Sequence, residues 1–153
     1  MSGIFKDYFY LSVSNSQYAS SEVQVMNGTK FKVLDISIAE ARELSNVIYL
    51  HVNRENLQCY VGITTMQVRF RWGRNGIPYR NNRRFGNAIK KYGWEGFSSY
   101  ILAIADSRDD LDLVEIDAIS AAGGHRTRYT YNLSPGGDTV SDTGKAVVGV
   151  NLK

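Results

Sequence analysis

The chain has 153 residues, 43% of them hydrophobic, and a single cysteine, Cys59. That length and apolar content suffice for one domain with its own core, while one cysteine excludes an intramolecular disulfide and leaves a cysteine-based zinc site short of ligands. Met1 to Tyr18 is too rich in Ser and Tyr for a secretory leader and no apolar run reaches membrane-spanning length, which predicts a soluble, intracellular (cytoplasmic) protein. The net charge of +3 hides an uneven distribution. No Asp or Glu lies between Glu55 and Glu95, a stretch that holds Arg69, Arg71, Arg74, Arg80, Arg83, Arg84, Lys90 and Lys91. With eight of the eighteen basic residues there, the remaining ten face all fifteen acidic ones. A concentrated positive face suits a polyanion, because each neutralised phosphate releases counterions; a solvated basic helix face accounts for the charge equally well.

In chain order, residues 1–45 carry Ser, Tyr and Asn clusters with short apolar alternations at Phe31, Val33 and Leu34, and read as an extension packed on the core. The main domain spans 46–138. Val47 to Val52 and Gln58 to Ile63 read as two strands around a polar turn at Asn53 to Asn56. Pairing them antiparallel with Ile48 opposite Val61, Leu50 opposite Cys59 and Val52 opposite Leu57 makes one face wholly apolar. The other face then sets Tyr49 beside Tyr60 and His51 beside Gln58, with the two phenols away from the buried side. A short helix follows through Arg71 and Trp72, with Thr64 or Thr65 as its cap. A second helix carries the stripe Phe85, Ala88, Ile89 and Tyr92, stops at Gly93, and turns Arg83, Arg84, Asn87, Lys90 and Lys91 the other way. Phe97 to Ile104 predicts a third strand. Ser107, followed by Asp109 and Asp110, predicts the start of a helix that ends at Gly123-Gly124. At 100° per residue, Leu111, Val114, Ala118, Ile119 and Ala122 form its core stripe, with Glu115 in the middle. An inward carboxylate is costly unless paired or metal-bound, and an Arg-paired structural Glu and a metal ligand both satisfy that. Tyr129 to Gly137 is extended and then turns. Residues 139–153 change character, with a strand over 146–150, and read as a truncated end or the start of a further module.

Taken together, these elements carry a resemblance. Val47-Ile48-Tyr49, ten residues, then Tyr60-Val61-Gly62 resembles the paired tripeptides of the GIY-YIG nuclease superfamily. Arg71-Trp72, Lys91-Tyr92-Gly93-Trp94, Glu115 with Ile119, and Tyr131-Asn132-Leu133-Ser134-Pro135-Gly136-Gly137 follow in the family's order over residues 47–137. The resemblance implies an α/β domain of the α+β type, with a small three-stranded antiparallel sheet flanked by helices. It implies a metal-dependent DNA endonuclease of the homing, restriction or phage type, using one divalent ion, Mg²⁺ or Mn²⁺, with duplex DNA as partner. Carried onto this chain, Glu115 becomes the metal ligand, Arg71 the group that stabilises the scissile phosphate, and Tyr49 and Tyr60 the pair near the attacking water. Tyr49 is favoured as base or relay and Tyr60 as positioner. Asn132 supports the site. Arg69, Arg74, Arg80, Arg83, Arg84, Lys90 and Lys91 would hold nucleic acid. Two positions depart from the pattern: Val47 replaces the first glycine, and Asn75 stands near where some relatives have a histidine. His51 is expected beside the tyrosine pair and His125 in a solvated Gly-Gly loop.

These residue types suit phosphodiester hydrolysis, which needs an activated water and neutralised phosphorane charge. Arginine offers phosphate a planar donor fork that stays charged at any working pH. The competing expectations are a nucleic-acid-binding module that keeps the fold without the reaction, and an RNA- or single-strand-directed nuclease acting as a toxin.

Overall fold

The computed structural model describes residues 18–137. The strand expected over 146–150 lies outside them, as does the start of the N-terminal extension.

Strands β1 (Ser20–Gln24) and β2 (Lys30–Leu34) form an antiparallel hairpin. A single helical turn, α1 (Ile38–Ala41), then leads into β3 (Val47–Asn53), β4 (Cys59–Thr64), the short helix α2 (Val68–Trp72) and a 3₁₀ turn, Ile77–Asn81. Helix α3 (Arg83–Tyr92), a second 3₁₀ turn (Trp94–Gly96), β5 (Phe97–Ile104) and helix α4 (Arg108–Ala121) complete the described chain. The main sheet is three-stranded and antiparallel in the order β4-β3-β5. It is flanked by helices, as the sequence predicts. Ser107 caps α4, its Oγ accepting from Asp110 N–H at 3.2 Å, and Gly93 follows α3 at a φ of 80°.

Three sequence expectations change. The β3–β4 register is offset by two residues: Tyr49 faces Gly62, Leu50 faces Val61, His51 faces Tyr60 and Val52 faces Cys59. The cause lies in the turn. Asn53 accepts from Leu57 N–H at 2.8 Å, and Leu57 adopts a φ of 67°, so it belongs to the loop rather than the strand and stays part-exposed. The offset is even, so the alternation of faces survives, but Tyr49 and Tyr60 are no longer directly opposed.

The second change concerns the face that carries the tyrosines, which is buried as deeply as the other. Ile48, Leu50, Val52, Val61 and Leu102 pack against the α4 stripe and against Phe31 and Val33 of the hairpin. Tyr49, Tyr60 and Ile101 pack on the opposite side against Val68, Trp72, Tyr79 and Phe85. Central strand β3 is buried at all seven positions, as expected of a strand covered on both faces. A bulge at Leu102, between the pairs Ile48–Ala103 and Tyr49–Ile101, lets β5 feed both cores.

Thirdly, neither Thr64 nor Thr65 caps α2. Thr64 Oγ1 instead accepts from Met66 N–H at 3.1 Å, and the first donors of α2 are satisfied from elsewhere: Val68 N–H donates to Leu44 O and Arg69 N–H to Arg42 O. These carbonyls belong to the segment after α1, which ties the extension to the main domain. The hairpin is tied at the other end, where Asn27 Nδ2 and Thr29 Oγ1 both donate to Ala121 O at the end of α4.

Gly62 has a steric role in this arrangement. A Cβ placed there would lie 2.4 Å from Tyr49 Oη and 2.5 Å from its Cζ. Gly62→Ala is therefore expected to destabilise by about 1–3 kcal/mol through overpacking. Urea unfolding measures it, and an unchanged midpoint would mean that the Tyr49 ring swings aside freely.

Candidate active site

A cleft of about 570 Å³ opens between β4, α2, α4 and the closing segment, and its walls include Tyr60, Gly62, Arg71, Arg108, Glu115 and Asn132. Four of the five residues expected at a catalytic site therefore share one cavity. The fifth, Tyr49, does not line it.

Asn132 arrives by completing the sheet edge. β4 has β3 on one side only, and on its free side Cys59 exchanges backbone hydrogen bonds with Tyr129 and Tyr131. One step further along, the Asn132 amide replaces the backbone: Oδ1 accepts from Val61 N–H at 3.0 Å, and Nδ2 donates to Val61 O at 2.8 Å. This pair of hydrogen bonds pins the closing segment, so that Gly136 and Gly137 wrap onto Glu115. The Gly137 N–H donates to Glu115 Oε1 at 3.1 Å. A Cβ on Gly136 (φ 95°) would come within 3.2 Å of Glu115 Cγ, so the turn needs glycine for both conformation and space. Glu115 is half-buried at the rim of the α4 stripe, and the fully inward carboxylate of that helix is Asp112.

Arg71 projects from α2. Its Nε–H donates to Tyr49 Oη at 3.1 Å, and the guanidinium lies 5.4 Å from the centroid of the Tyr79 ring. Among the described residues, no carboxylate lies within ion-pair distance of it. Its charge is held in place by phenols, which orient it without neutralising it.

The tyrosines differ. Tyr49 is fully buried, its hydroxyl taken by Arg71 and its ring edge-on to Trp72. Tyr60 is 9% exposed, stacks on Phe85 at 4.7 Å and presents its remaining surface to the cleft. Burial raises both phenols above their ordinary range; Arg71 partly opposes this at Tyr49. Both are therefore neutral hydroxyls near neutral pH. The expected arrangement of two opposed phenols at one water, Tyr49 as base or relay and Tyr60 as positioner, is corrected to one cleft-facing hydroxyl, Tyr60, and one buried hydroxyl behind Arg71. His51 stands beside the tyrosines as expected, its ring 5.2 Å from that of Tyr49 and 6.5 Å from that of Tyr60, and it is fully buried; burial followed by the charge of Arg71 lowers its pKa to about 3. His125 is exposed in its loop. Asn75 sits in a turn at φ 56°, with its side chain exposed.

The residues expected to hold nucleic acid lie outside the cleft. Arg74, Arg80, Arg83, Lys90 and Lys91 are exposed; Arg69 pairs with Glu43 at 3.6 Å. Arg84 is partly buried and donates to Thr127 O at 2.8 Å, so it braces α3 against the closing segment instead of standing free. Conversely, Arg108 lines the cleft although no sequence motif assigns it. A signal existed: a basic side chain at the first position of a helix opposes the helix dipole, where Asp109 and Asp110 are the favoured neighbours.

A divalent ion can be tested against these groups. A closed zinc-type cage needs three or four such ligands together, and among the described residues no cluster of three or more His, Cys, Asp or Glu is found. A hydrated hard cation asks for less, because Mg²⁺ keeps several waters and takes one or two protein carboxylates together with substrate phosphate. Glu115, anchored by Gly137 and open to the cleft, fits that requirement.

Comparison with protein-family models, curated proteins and solved structures gives no match.

Asn132→Ala should leave both polar groups of Val61 without their side-chain partner and cost about 1–3 kcal/mol, the usual penalty for stranding a buried donor or acceptor. Amide exchange should rise first over residues 129–137, and uniform protection there would refute the pinning role.

Proposed function

We propose that this chain is a metal-dependent phosphodiesterase acting on DNA, an endonuclease of the GIY-YIG type. The observation that carries the reading is Arg71: a partly buried guanidinium with no carboxylate partner among the described residues, in a cleft that also holds Tyr60, Glu115 and Asn132. Such a charge is unfavourable unless an anion comes to it, and a phosphate oxygen suits its donor fork. These four groups come from four separate elements and match the resemblance residue by residue.

In this reading the scissile phosphate docks on the terminal N–H groups of Arg71, with Arg108 adding charge from the opposite wall. Tyr60 is the phenol we assign to the reacting water, which it orients by donating or accepting a hydrogen bond without ionising. Tyr49 acts only through Arg71. Glu115 would hold the divalent ion, which when bound acidifies a water and neutralises developing phosphate charge. Asn132 keeps the wall that carries Glu115 closed. The exposed Arg83, Lys90 and Lys91 of α3 give duplex DNA a positive surface beyond the cleft. No helix among the described residues is long and apolar enough to cross a membrane.

The decisive experiment incubates the protein with supercoiled plasmid, linear duplex and single-stranded DNA in magnesium, manganese or chelator. Cleavage that needs the metal is expected. Glu115→Gln should slow it by about 100- to 1,000-fold, the scale of removing one charge-stabilising group, while DNA affinity in chelator stays within about twofold of wild type. Wild-type binding without cleavage in any metal would favour the non-catalytic module instead.

Binding should also weaken steeply with salt. Neutralising Arg83, Lys90 and Lys91 together is expected to flatten the log-log slope by roughly 0.7 to 0.9 for each phosphate that these side chains no longer neutralise. An unchanged slope would place the DNA on another face.

A further inference from the structure

Helix α2 carries Arg71 on only five residues, and its N-cap residue, Gln67, makes no side-chain capping hydrogen bond. So short a helix is not stable through its own hydrogen bonds. Its buried residues, Val68 and Trp72, share one face, which fixes how the helix is turned but not where it sits along its axis. The axial contacts come largely from one residue, Arg42. Its carbonyl accepts from Arg69 N–H at 3.0 Å, and its Nη1 donates to Gly73 O at 3.2 Å. Arg42 thus grips the backbone two residues before Arg71 and two residues after it. Leu44 O, accepting from Val68 N–H at 2.8 Å, adds a second hold at the start of the helix. Arg42 is itself fixed by α1: Ser37 Oγ accepts from Glu40 N–H at 3.1 Å, and Ile38 O accepts from Arg42 N–H at 3.0 Å. The contacts of Glu43 with Gln67 at 3.3 Å and with Arg69 at 3.6 Å are solvent-exposed and add little beside these.

We propose that Arg42 is a positioning residue for the cleft: by bracketing α2 at both ends it sets the place from which Arg71 reaches the phosphate. Its effect on cleavage rests on the nuclease reading above; its hold on α2 does not.

The last carbonyls of a helix have no partner within it, and at Gly73 O a cation supplies one through a charge-assisted hydrogen bond. Arg71 is tethered at its far end, where Nε–H donates to Tyr49 Oη at 3.1 Å. With that end fixed, a slip of α2 along its axis tilts the guanidinium instead of carrying it along, so its terminal N–H groups leave the phosphate. A displacement of about 1 Å is enough to cost on the order of 100-fold in rate. Gly73 is 31 positions from Arg42, so no local motif joins the two, and the stretch before residue 45 carries no catalytic pattern of its own.

The test compares wild type with Arg42→Met, which keeps an aliphatic stem without a donor, and Arg42→Lys, which restores a charged donor. Amide exchange and nitrogen-15 NMR read the hold on α2, and single-turnover cleavage of plasmid DNA in magnesium reads its use. In Arg42→Met, exchange at Gly73 N–H, which donates to Arg69 O, should quicken about five- to tenfold, the equivalent of one lost hydrogen bond. Solvent exchange of Arg71 Nε–H should quicken about threefold or more. Val61 N–H, held by Asn132 on another wall, should not change. The cleavage rate should fall about 10- to 100-fold with the half-saturating concentration within about twofold, and Arg42→Lys should recover to within about fivefold of wild type. A merely structural Arg42 would lower the unfolding midpoint and leave the folded protein's rate unaltered. Unaltered exchange at Gly73 and Arg71, equal quickening at Val61, a wild-type rate in Arg42→Met, or an Arg42→Lys rate no better than that of Arg42→Met overturns the proposal. Should Arg42→Met not fold, Arg42→Lys carries the comparison: Gly73 exchange within about threefold of wild type supports the bracket, and a loss of about tenfold or more overturns it. If wild type cleaves no DNA, the nuclease reading fails, and exchange at Gly73 and Arg71 alone decides the hold on α2.

Discussion

Tyr49 lies across Gly62 with no side chain between them, and the geometry of the cleft follows from that contact. The missing Cβ lets the phenol lie flat on β4 and bring its oxygen to the edge of the sheet. Arg71 reaches that oxygen from α2, a helix of only five residues whose first donors are satisfied by carbonyls from the segment after α1. The position of the guanidinium therefore depends on a register, a glycine and a segment far away in sequence. A side chain at position 62 would displace the phenol that Arg71 reaches.

The two cores divide the labour. The α4 side is aliphatic apart from Phe31 and closes the fold around Ile48, Leu50, Val61 and Ile119 by volume and shape. On the α2–α3 side, Tyr49, Tyr60, Trp72, Tyr79, Phe85 and Phe97 pack as rings. Rings with polar tips can fill space and also carry hydroxyls into the interior, provided each tip finds a partner. That is why His51 can sit in the middle, within about 5.0 Å of Trp72 and Trp94 in ring centroid distance, and remain fully hydrogen-bonded. The aromatic side is therefore also the side that organises the cleft.

Much of this is legible in the sequence, and what is not shares a physical cause. Strand β5 and the start of α4 follow from alternation and from the Ser107 cap, both local signals. The stripe of α3 and its stop at Gly93 are local too. The β3–β4 register escapes because it is decided by Leu57, which enters a left-handed turn that its residue type disfavours. The burial of the tyrosine face escapes because its cover includes Tyr79, a single buried residue in a five-residue 3₁₀ turn that leaves no periodic trace. Asn132 stands out by motif, but its target, the backbone of Val61, lies 71 positions away. The candidate site is thus readable as a set of residues but not as an arrangement, since Tyr49 and Tyr60 carry the same chemistry in sequence and different environments in space.

The choice of phenols around Arg71 has an electrostatic logic. A carboxylate would hold a partly buried guanidinium more tightly, but it would also neutralise the charge and compete with any incoming anion. A neutral hydroxyl fixes direction and leaves the charge intact. This works only while the hydroxyls stay neutral, and burial secures that at Tyr49, Tyr60 and Tyr79 by raising all three. The carboxylate that the site does contain, Glu115, stands on a different wall and accepts from Gly137 N–H. Arg71 on α2 and Glu115 on α4 thereby stand on different walls of the cleft, while Arg108 shares the α4 wall with Glu115.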